Sequence, residues 1–340
     1  MQETMLSRCV LVPKREGERA RKYLSERGIL RTDLRICHRN GYLLIPIVEG
    51  AEVPYKTTEA ELEWSKRRPR DYKEFLELPE GLIPLLPRSY DVVGDVAIIR
   101  LREELKAHEA MIGEALLQAH RHLRTIAVDA GVHGDARHRS LRVVAGRQST
   151  LTLHREHGVR LWVDPSRAYF SPRLAGERMR IARLVTEGER VIDMFAGVGP
   201  FSIIIARHSF PSGVDAIDSN PEAVELMKRN IALNKVAVHP HLGDARKVML
   251  ELGKADRIIM NLPHTAHSYL DAALRSANPK TMVHLYQHVT KGEMSTRGEQ
   301  VLEMCKGLGV NAEMHHFHAL HPYSPRSEIV VYDISVLGAL

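Results

Sequence analysis

A short strand that runs into a glycine-rich turn and a helix constrains the fold of this chain more than any other feature. Residues 191–195 are strand-like, Gly197 and Gly199 permit a tight turn, and Pro200 suits the first position of a helix. From residue 172 onward, strand, turn and helix patterns repeat about every 25 residues. This rhythm predicts a doubly wound, mostly parallel sheet of seven strands whose last two form a return pair.

Polar residues follow the next three predicted strands of this sheet. Asp218 comes after the second strand, Asp244 after the third and Asn261 after the fourth. Ligands of an open α/β sheet bind beyond the carboxyl ends of its strands, so these residues are expected to line one site. Asp218 would accept hydrogen bonds from ribose hydroxyls and Asp244 from an adenine amino group. Turn or helix-capping roles are the alternatives at both positions.

The spacing of the glycines indicates which nucleoside cofactor the site takes. An NAD site would require a third glycine where this chain has Ser202. The pattern therefore favours S-adenosylmethionine, held by Asp193, Phe195 and the two glycines of the turn. Beyond the fourth strand, Asn261 and Pro263 form a rigid turn that suits a nucleophilic nitrogen on a planar base. A capping role for Asn261 before a helix over residues 265–276 is the alternative.

The length of 340 residues indicates two or three domains. The patterns predict a small N-terminal α/β module over residues 1–60 and an α+β domain with an antiparallel sheet over residues 61–170; the charge and the resemblance described below imply that this second domain is the RNA-binding domain. Residues 171–340 form the predicted catalytic domain. The polar, charged stretch over residues 50–73 is interpreted as a linker or an exposed basic arm.

Positive charge is concentrated in one part of the chain. The formal net charge is +6, yet residues 137–183 contain eleven arginines and no lysine against three carboxylates, a surplus of eight positive charges. Arginine suits phosphate and base recognition because its guanidinium is planar and donates paired hydrogen bonds. The segment therefore indicates a nucleic-acid partner. A solvated basic surface, enriched in arginine by a GC-rich genome, is the alternative.

Several classes of protein are disfavoured. The N-terminus lacks the layout of a signal peptide, and no apolar run is long enough to span a membrane, so a cytoplasmic protein without a membrane partner is expected. Cys9, Cys37 and Cys305 lack the spacing of a disulfide framework or a zinc site and are expected to be reduced and mostly buried. The nineteen histidines show no metal-ligand spacing. No metal site is predicted, and the histidines at 315–318 are interpreted as strand residues.

Five motifs together resemble the Trm-five-type tRNA (guanine-37, N1) methyltransferases of archaea and eukaryotes. The resemblance covers nearly the whole chain. The motifs lie at residues 89–95, 169–178, 193–201, 261–263 and 323–325.

This resemblance implies a class I methyltransferase domain that uses S-adenosylmethionine and acts on tRNA. The N-terminal module would recognise the outer corner of the tRNA. The middle and catalytic domains would hold the anticodon stem-loop, with base 37 flipped out toward the cofactor. A monomer is expected.

The resemblance also implies roles for individual residues in methylation at guanine N1. This nitrogen carries a proton at neutral pH, so the reaction benefits from a general base and from a positive group near O6. Glu177 is the predicted base, although an ordinary carboxylate in the first turn of a helix is the alternative. Arg137 is predicted to polarise O6, with Arg139 as its rival. Tyr169 would orient the base or the cofactor, and Asn261 would bind the guanine edge.

One departure from the family pattern and three rival functions stay open. Gly176 stands where the family usually has threonine. Wyosine-pathway transferases, either bifunctional methyltransferases or aminocarboxypropyltransferases, share much of the pattern, but retention of Asn261 favours guanine N1 methylation. An rRNA methyltransferase is a second rival. A non-catalytic RNA-binding protein is the third, although Gly197, Gly199 and Asp218 are all present.

Overall fold

A computed structural model describes residues 4–64, 71–133 and 138–339, with side chains left out at positions 132, 133, 138 and 139. The chain divides into two compact units, Met1–Phe75 and Leu76–Leu340. Each unit has its own hydrophobic core.

The first unit is a small α/β module. Within residues 4–64 its elements are β1 (Thr4–Pro13), α1 (Gly17–Glu26), β2 (Cys37–Arg39), β3 (Tyr42–Pro46) and β4 (Thr57–Glu63). The strands pair antiparallel in the order β2-β3-β1-β4. Alternate residues of β1, such as Val10 and Val12, pack against Ala20 and Leu24, which are one helical turn apart on α1.

The interpretation of residues 50–73 as a linker is wrong for part of that stretch. Residues 57–63 form β4, whose alternating residues include the buried Leu62 and which pairs with β1 along its whole length. A charged edge strand resembles a linker in composition because only one of its faces is buried. The predicted boundary between residues 60 and 61 therefore falls inside a strand. The stretch at 65–70 lies outside the described residues.

The second unit begins with a mixed sheet. Its elements up to residue 163 are β5 (Asp91–Val93), β6 (Val96–Ile99), α2 (Glu109–Ala119), β7 (Thr125–His133), β8 (His138–Gly146), β9 (Thr152–Glu156) and β10 (Val159–Val163). The first four strands have the order β5-β6-β7-β8. The prediction of an antiparallel sheet is wrong at one pair, because β6 and β7 run parallel. Their connection contains α2, which provides the crossover that parallel neighbours require.

The β9–β10 hairpin packs on the catalytic part of the same unit. Asn230 accepts a hydrogen bond from the Trp162 amide (2.7 Å) and donates one to its carbonyl (3.0 Å). The guanidinium of Arg229 lies 3.8 Å from the centre of the Trp162 ring. The predicted boundary between residues 170 and 171 stays a prediction.

The rest of the second unit is the predicted doubly wound sheet. Its elements are α3 (Ala175–Leu184), β11 (Arg190–Asp193), α4 (Pro200–His208), β12 (Gly213–Asp218), α5 (Pro221–Asn234), β13 (His239–Leu242), α6 (Ala245–Leu252), β14 (Ala255–Met260), α7 (Leu270–Arg275), β15 (Ala277–Thr290), α8 (Met294–Gly307), β16 (Val310–Ser324) and β17 (Ser327–Ala339). Among the described residues the seven strands have the order β13-β12-β11-β14-β15-β17-β16. All neighbours are parallel except β17, which is antiparallel to both β15 and β16.

Strand register brings the predicted site residues to one edge of this sheet. Asp193, the last residue of β11, pairs with Ala216 of β12 and Ile259 of β14. The loops that follow these three strands therefore begin at the same level. Both faces of the sheet are apolar: Val191 belongs to the core on one side and Ile192 to the core on the other.

Candidate active site

A cavity of about 570 Å³ lies where the loops after β11, β12, β13 and β14 meet. This volume is within the range of small-molecule sites. The predicted cofactor residues that line it are Phe195, Gly197, Asp218, Asp244, Asn261 and Pro263. We refer to this space as the cofactor cavity.

The two glycines of the turn have different roles. Gly197 lines the cavity with φ at +56°, and a Cβ there would come to 3.3 Å from the carbonyl oxygen of Tyr169. Gly199 is not among the lining residues. It has φ at +84°, and a Cβ would lie 2.8 Å from Cγ of Met227. Gly197 therefore leaves room beside a ligand, whereas Gly199 shapes the turn into α4.

Asp218 links two of the loops around the cofactor cavity. Its carboxylate accepts hydrogen bonds from the amide of Gly197 (2.7 Å) and from the amide of Asn220 (2.9 Å). Burial raises the pKa of Asp218, and the backbone donors oppose that rise. Each carboxylate oxygen has a second lone pair, so the residue can still accept a ribose hydroxyl.

Asp193 lies beneath the glycine turn and does not line the cavity. It is fully buried and accepts a hydrogen bond from the Ser202 hydroxyl (2.8 Å). Burial raises its pKa to about 7, although the Ser202 hydroxyl favours the charged form. In this structure β11 ends with the Asp193 side chain buried beneath the glycine turn, where it supports the turn. The predicted role of Asp193 in cofactor binding stays a prediction.

The wall around the predicted residue Asp244 also contains Arg246 and Tyr269, which the sequence patterns did not single out. Asp244 both lines the cavity and caps α6, accepting a bond from the Arg246 amide (2.8 Å). The Arg246 guanidinium lies 3.8 Å from the centre of the Tyr269 ring, and this ring meets Phe195 edge-on at 5.0 Å. Arg246 lies two residues after Asp244, and this proximity in the sequence could have identified it as a residue of the cavity wall. Tyr269 gave no such signal, because its approach depends on tertiary packing.

A second cavity of about 350 Å³ adjoins the first. It is lined by residues in or next to β5, β6 and β7, by the segment before α3, by the turn after β14 and by the adjoining ends of β16 and β17. Six residues line both cavities: Tyr169, Ser171, Leu174, Asn261, Pro263 and His264. Asn261 therefore stands at the junction of the two spaces, and half-exposed Tyr169 borders both.

The motif at 323–325 forms part of the wall of the second cavity. The Tyr323 ring packs edge-on against His264 (5.3 Å) and His288 (4.6 Å), and these two imidazoles stack at 4.9 Å. Ser327 fixes the turn by bonding both His288 and the hydroxyl of Ser324. The motif brings an aromatic wall beside the Asn261 turn.

Glu177 lies in a buried network and lines neither cavity. Both of its carboxylate oxygens accept from the guanidinium of Arg180, at 2.8 Å each, and one also accepts from the Tyr286 hydroxyl at 2.7 Å. The imidazole of His318 lies 3.5 Å from the same carboxylate. A predicted base is thus surrounded by donors in this conformation.

The network continues from Arg180 across the sheet. Arg180 also binds Asp333, which accepts from the buried His284 (2.6 Å), and His284 contacts Arg257 (2.7 Å). Burial would raise the pKa of Asp333, but the hydrogen bonds from His284 and Arg180 hold it well below its usual value. Burial lowers the pKa of His284 despite that partner. At the end of this network, Arg257 donates a hydrogen bond to Glu189.

Gly176 tolerates the threonine that the family pattern has at this position. A Cβ built there meets no atom within 4 Å. The departure from the pattern therefore leaves the start of α3 and the position of Glu177 sterically unaffected.

Arg137 lies outside the described residues, and the side chain of its rival Arg139 is likewise not described. Among the described side chains of residues 137–183, six arginines form ion pairs with carboxylates. Most of these partners come from other segments, such as Glu109, Asp95 and Asp333. The surplus of eight charges in this segment is therefore partly neutralised in the fold.

The described part of the chain contains no cluster of side chains able to hold a metal ion and no helix long and apolar enough to cross a membrane. Cys9 and Cys305 are buried, while Cys37 is exposed, and none of the three forms a disulfide.

The seven-stranded sheet, with a nucleoside-sized cavity at the carboxyl ends of β11 to β14, defines a class I methyltransferase. A family model described as the TRM5/TYW2 methyltransferase domain matches residues 152–313. Two further models match residues 9–56, the tRNA methyltransferase 5 N-terminal domain, and residues 72–150, the TYW2 N-terminal domain. The chain belongs to the Trm5-type family of S-adenosylmethionine-dependent methyltransferases.

Individual relatives match over nearly the whole length. The tRNA (guanine(37)-N(1))-methyltransferase Trm5b of Pyrococcus abyssi is 41% identical over 334 residues, covering 96% of this chain and 98% of the relative. Its crystal structure superposes with a TM-score of 0.80 over 97% of this chain and 99% of that one. A complex of aTrm5 with tRNALeu gives a TM-score of 0.79 at 33% identity, covering 96% of this chain and 99% of that one.

A second group of relatives has another named activity. A tRNA(Phe) (4-demethylwyosine(37)-C(7)) aminocarboxypropyltransferase of Pyrococcus horikoshii is 31% identical over 263 residues, which covers 76% of this chain and 93% of the relative. Together the matches confirm the predicted family, fold class and cofactor. The roles of the individual site residues stay predictions.

Proposed function

We propose that this chain transfers the methyl group of S-adenosylmethionine to N1 of guanine 37 in tRNA, giving 1-methylguanosine. The observation that carries the proposal is the position of Asn261 and Pro263, which border both the cofactor cavity and the second cavity. Its support from outside the chain is the full-length similarity to an enzyme named for this reaction.

The cofactor cavity suits S-adenosylmethionine in volume and in the acceptors and aromatic rings that line it. Gly197 leaves the backbone open to a ligand, Asp218 can accept from a ribose, and Phe195 and Tyr269 supply apolar rings beside Asp244. The sulfonium group of the bound cofactor supplies an electrophilic methyl carbon. The protein has to hold the guanine edge, remove the N1 proton and exclude water.

Asn261 is the proposed ligand for the guanine edge. Its amide can both donate to and accept from a planar base, and the following Pro263 stiffens the turn. The carbonyl of Pro263 accepts a bond from the His288 amide at 2.8 Å, which fixes the turn to β15. Tyr169 is the proposed orienting ring at the same junction.

Glu177 is the proposed general base, and its surroundings impose a condition on that role. Arg180 and Tyr286 bond both carboxylate oxygens. Glu177 lines neither cavity, so it can accept the guanine proton only after its carboxylate comes within reach of a base in the second cavity. We propose that tRNA binding moves the start of α3, which directly follows the cavity-lining residues Ser171 and Leu174.

The proposed partner regions follow from the domain order. The N-terminal module would bind the outer corner of the tRNA, and the second unit would hold the anticodon stem-loop. Arg137 would stabilise negative charge on guanine O6. We further propose a monomer that acts in the cytoplasm.

The test is a transfer assay with S-adenosylmethionine labelled either in its methyl or in its carboxyl group, run on unmodified tRNA and, separately, on tRNA that carries 4-demethylwyosine at position 37. The first substrate tests the proposal, and the second tests the wyosine-pathway alternatives. Methyl label should enter the tRNA, and mass spectrometry should locate it as 1-methylguanosine at position 37. Carboxyl label entering the tRNA would replace the proposal with the second candidate, aminocarboxypropyl transfer, which the 31% identical relative supports. Methyl label at C7 of a tricyclic base would instead favour the bifunctional alternative.

A further inference from the structure

We propose that Arg100 and Arg173 form a phosphodiester clamp at the second cavity and bind the RNA backbone beside the nucleotide to be modified. This inference rests on the proposed function. Both arginines line the second cavity, and they approach it from different elements: Arg100 follows β6, and Arg173 lies in the short turn before α3.

Arg173 forms an ion pair with the carboxylate of Asp91. Its Nε and one terminal nitrogen, Nη2, both lie 2.9 Å from Oδ1 of Asp91, a residue that starts β5, so Nη1 and the second hydrogen of Nη2 have no contact with this carboxylate. The Asp91 side chain is 17% exposed, whereas that of Arg173 is 50% exposed. Arg173 itself lines the second cavity, and in sequence it lies between Ser171 and Leu174, which border both cavities.

Arg100 repeats this arrangement on the neighbouring strands. Its Nε donates to Oδ2 of Asp129 at 3.1 Å, and the other oxygen of Asp129 accepts from the Gly131 amide at 3.0 Å. The Asp129 side chain is almost fully buried, while that of Arg100 is 75% exposed. Asp129 is buried and held by the Gly131 amide, so it fixes the direction of the exposed Arg100 guanidinium, which lines the cavity.

The remaining hydrogen-bonding capacity of these two side chains points to a phosphate. A guanidinium has five N–H donors in one plane, and a single carboxylate cannot engage all of them. Phosphate oxygens match the fork of donors that is left. Two such forks from separate elements suit an extended backbone that turns into a cavity, as the backbone of a flipped nucleotide does.

Two other paired arginines, both on α3, lack this combination. Arg178 is 1% exposed and uses both branches of its fork on Glu156. Arg180 engages two carboxylates, those of Glu177 and Asp333. Burial and a second acid leave these residues with structural roles, whereas Arg100 and Arg173 keep donors available in the cavity.

The experiment measures binding of full-length tRNA to the whole protein by filter retention over a range of salt concentrations, without cofactor turnover. Arg100→Ala and Arg173→Ala should each weaken binding about tenfold at low salt. Each should also lower the slope of log K against log salt by about 0.7–0.9, the value for one lost phosphate contact. Affinity for S-adenosylmethionine should be unchanged. Binding is measured well below the melting temperature of each variant, because Arg100→Ala leaves the buried Asp129 without its cation. Arg275→Ala removes an exposed arginine that lines neither cavity and serves as the matched control.

A second arm uses tRNA with one neutral methylphosphonate at the phosphates flanking nucleotide 37. One of these substitutions should weaken binding to the wild type about tenfold and have no further effect on Arg173→Ala. Unchanged salt slopes in both arginine variants, or equal sensitivity of wild type and variant to every methylphosphonate, would overturn the clamp. A wild type that binds tRNA through these arginines but leaves guanine 37 unmethylated would instead overturn the proposed function and leave the clamp intact.

Discussion

The cofactor cavity and the second cavity share six residues of their walls but are built in different ways. The cofactor cavity is formed by the ends of consecutive parallel strands, with backbone amides and glycines at fixed spacing. The second cavity is assembled from segments that lie far apart in the chain, and ion pairs such as those of Asp91 and Asp129 orient its charged residues. The first arrangement is set by local sequence, whereas the second depends on tertiary packing.

The strongest expected effect concerns Glu177, which lines neither cavity. Glu177→Gln should lower turnover by about 10²–10⁴-fold, because the amide cannot accept the N1 proton. Affinity for S-adenosylmethionine, measured by calorimetry, should be unchanged because the residue does not line the cofactor cavity. Turnover near the wild-type value would remove Glu177 from the role of base.

Two further variants separate a catalytic from a structural role of Glu177. Tyr286→Phe disturbs the same buried network by deleting one donor but retains the carboxylate. Its turnover should stay within about tenfold of the wild type, the effect of one lost hydrogen bond. An equally large loss in Tyr286→Phe and Glu177→Gln would indicate that the network acts through the fold alone. Glu187→Gln, which changes an exposed carboxylate, is the matched control.

The second prediction tests whether Asp193 supports the cofactor cavity from below. Its pKa of about 7 in the folded state lies above the ordinary value of 3.8, so the folded protein holds a proton that the unfolded chain has lost. The free energy of unfolding should therefore fall as pH rises from about 4 to 7, by about 4 kcal/mol in total. Asp193→Asn should remove this component.

Urea unfolding of wild type and Asp193→Asn at several pH values between 5 and 8 measures the difference. Other titrating groups contribute to both proteins and cancel in the comparison. We expect the variant to gain relative stability with rising pH and to keep its affinity for S-adenosylmethionine. A parallel pH dependence of the two proteins would contradict a raised pKa of Asp193. A large loss of cofactor affinity at constant stability would show that Asp193 binds the cofactor directly.

The contrast between the cavities also explains which features the sequence predicts. The sheet and the turn with Gly197 could be recognised because alternation, spacing and φ requirements are local properties. The burial of Asp193 could not, because a carboxylate at the end of β11 has the same local pattern whether it faces the ligand or the core. Likewise, β4 is revealed by its pairing with β1, and the parallel pairing of β6 with β7 by the packing of α2.

The arginine-rich segment shows the same limit for charge. A sum over residues 137–183 omits the acids that reach these arginines from other parts of the chain. Arg142 pairs with Glu109, and Arg147 with Asp95. Arg173 also has such a partner, yet it is half exposed and lines a cavity. The arginines expected to bind RNA are therefore those that keep hydrogen-bond donors available, and the fold decides which ones these are.

The third prediction concerns Asn261, which belongs to both cavities. Asn261→Ala should lower kcat/KM for tRNA about 10²-fold, the loss typical of one polar contact to the reacting group. The affinity for S-adenosylmethionine should change much less, because Gly197 and Asp218 remain in place. Single-turnover kinetics with labelled cofactor measures the first quantity and calorimetry the second. Asn311→Ala on β16 is the control, and a larger effect on cofactor affinity than on turnover would assign Asn261 to the cofactor cavity alone.

The smallest expected effect tests the one departure from the family pattern. Gly176→Thr should leave turnover unchanged, because a Cβ at this position meets no atom within 4 Å. Stability should rise by about 0.4 kcal/mol, since threonine costs less than glycine in a helix, and α3 begins one residue earlier. Thermal unfolding and steady-state kinetics measure the two effects. A loss of turnover without a loss of stability would mean that α3 needs the flexibility of glycine there, and would favour a mechanism in which the start of this helix moves to bring Glu177 to the second cavity.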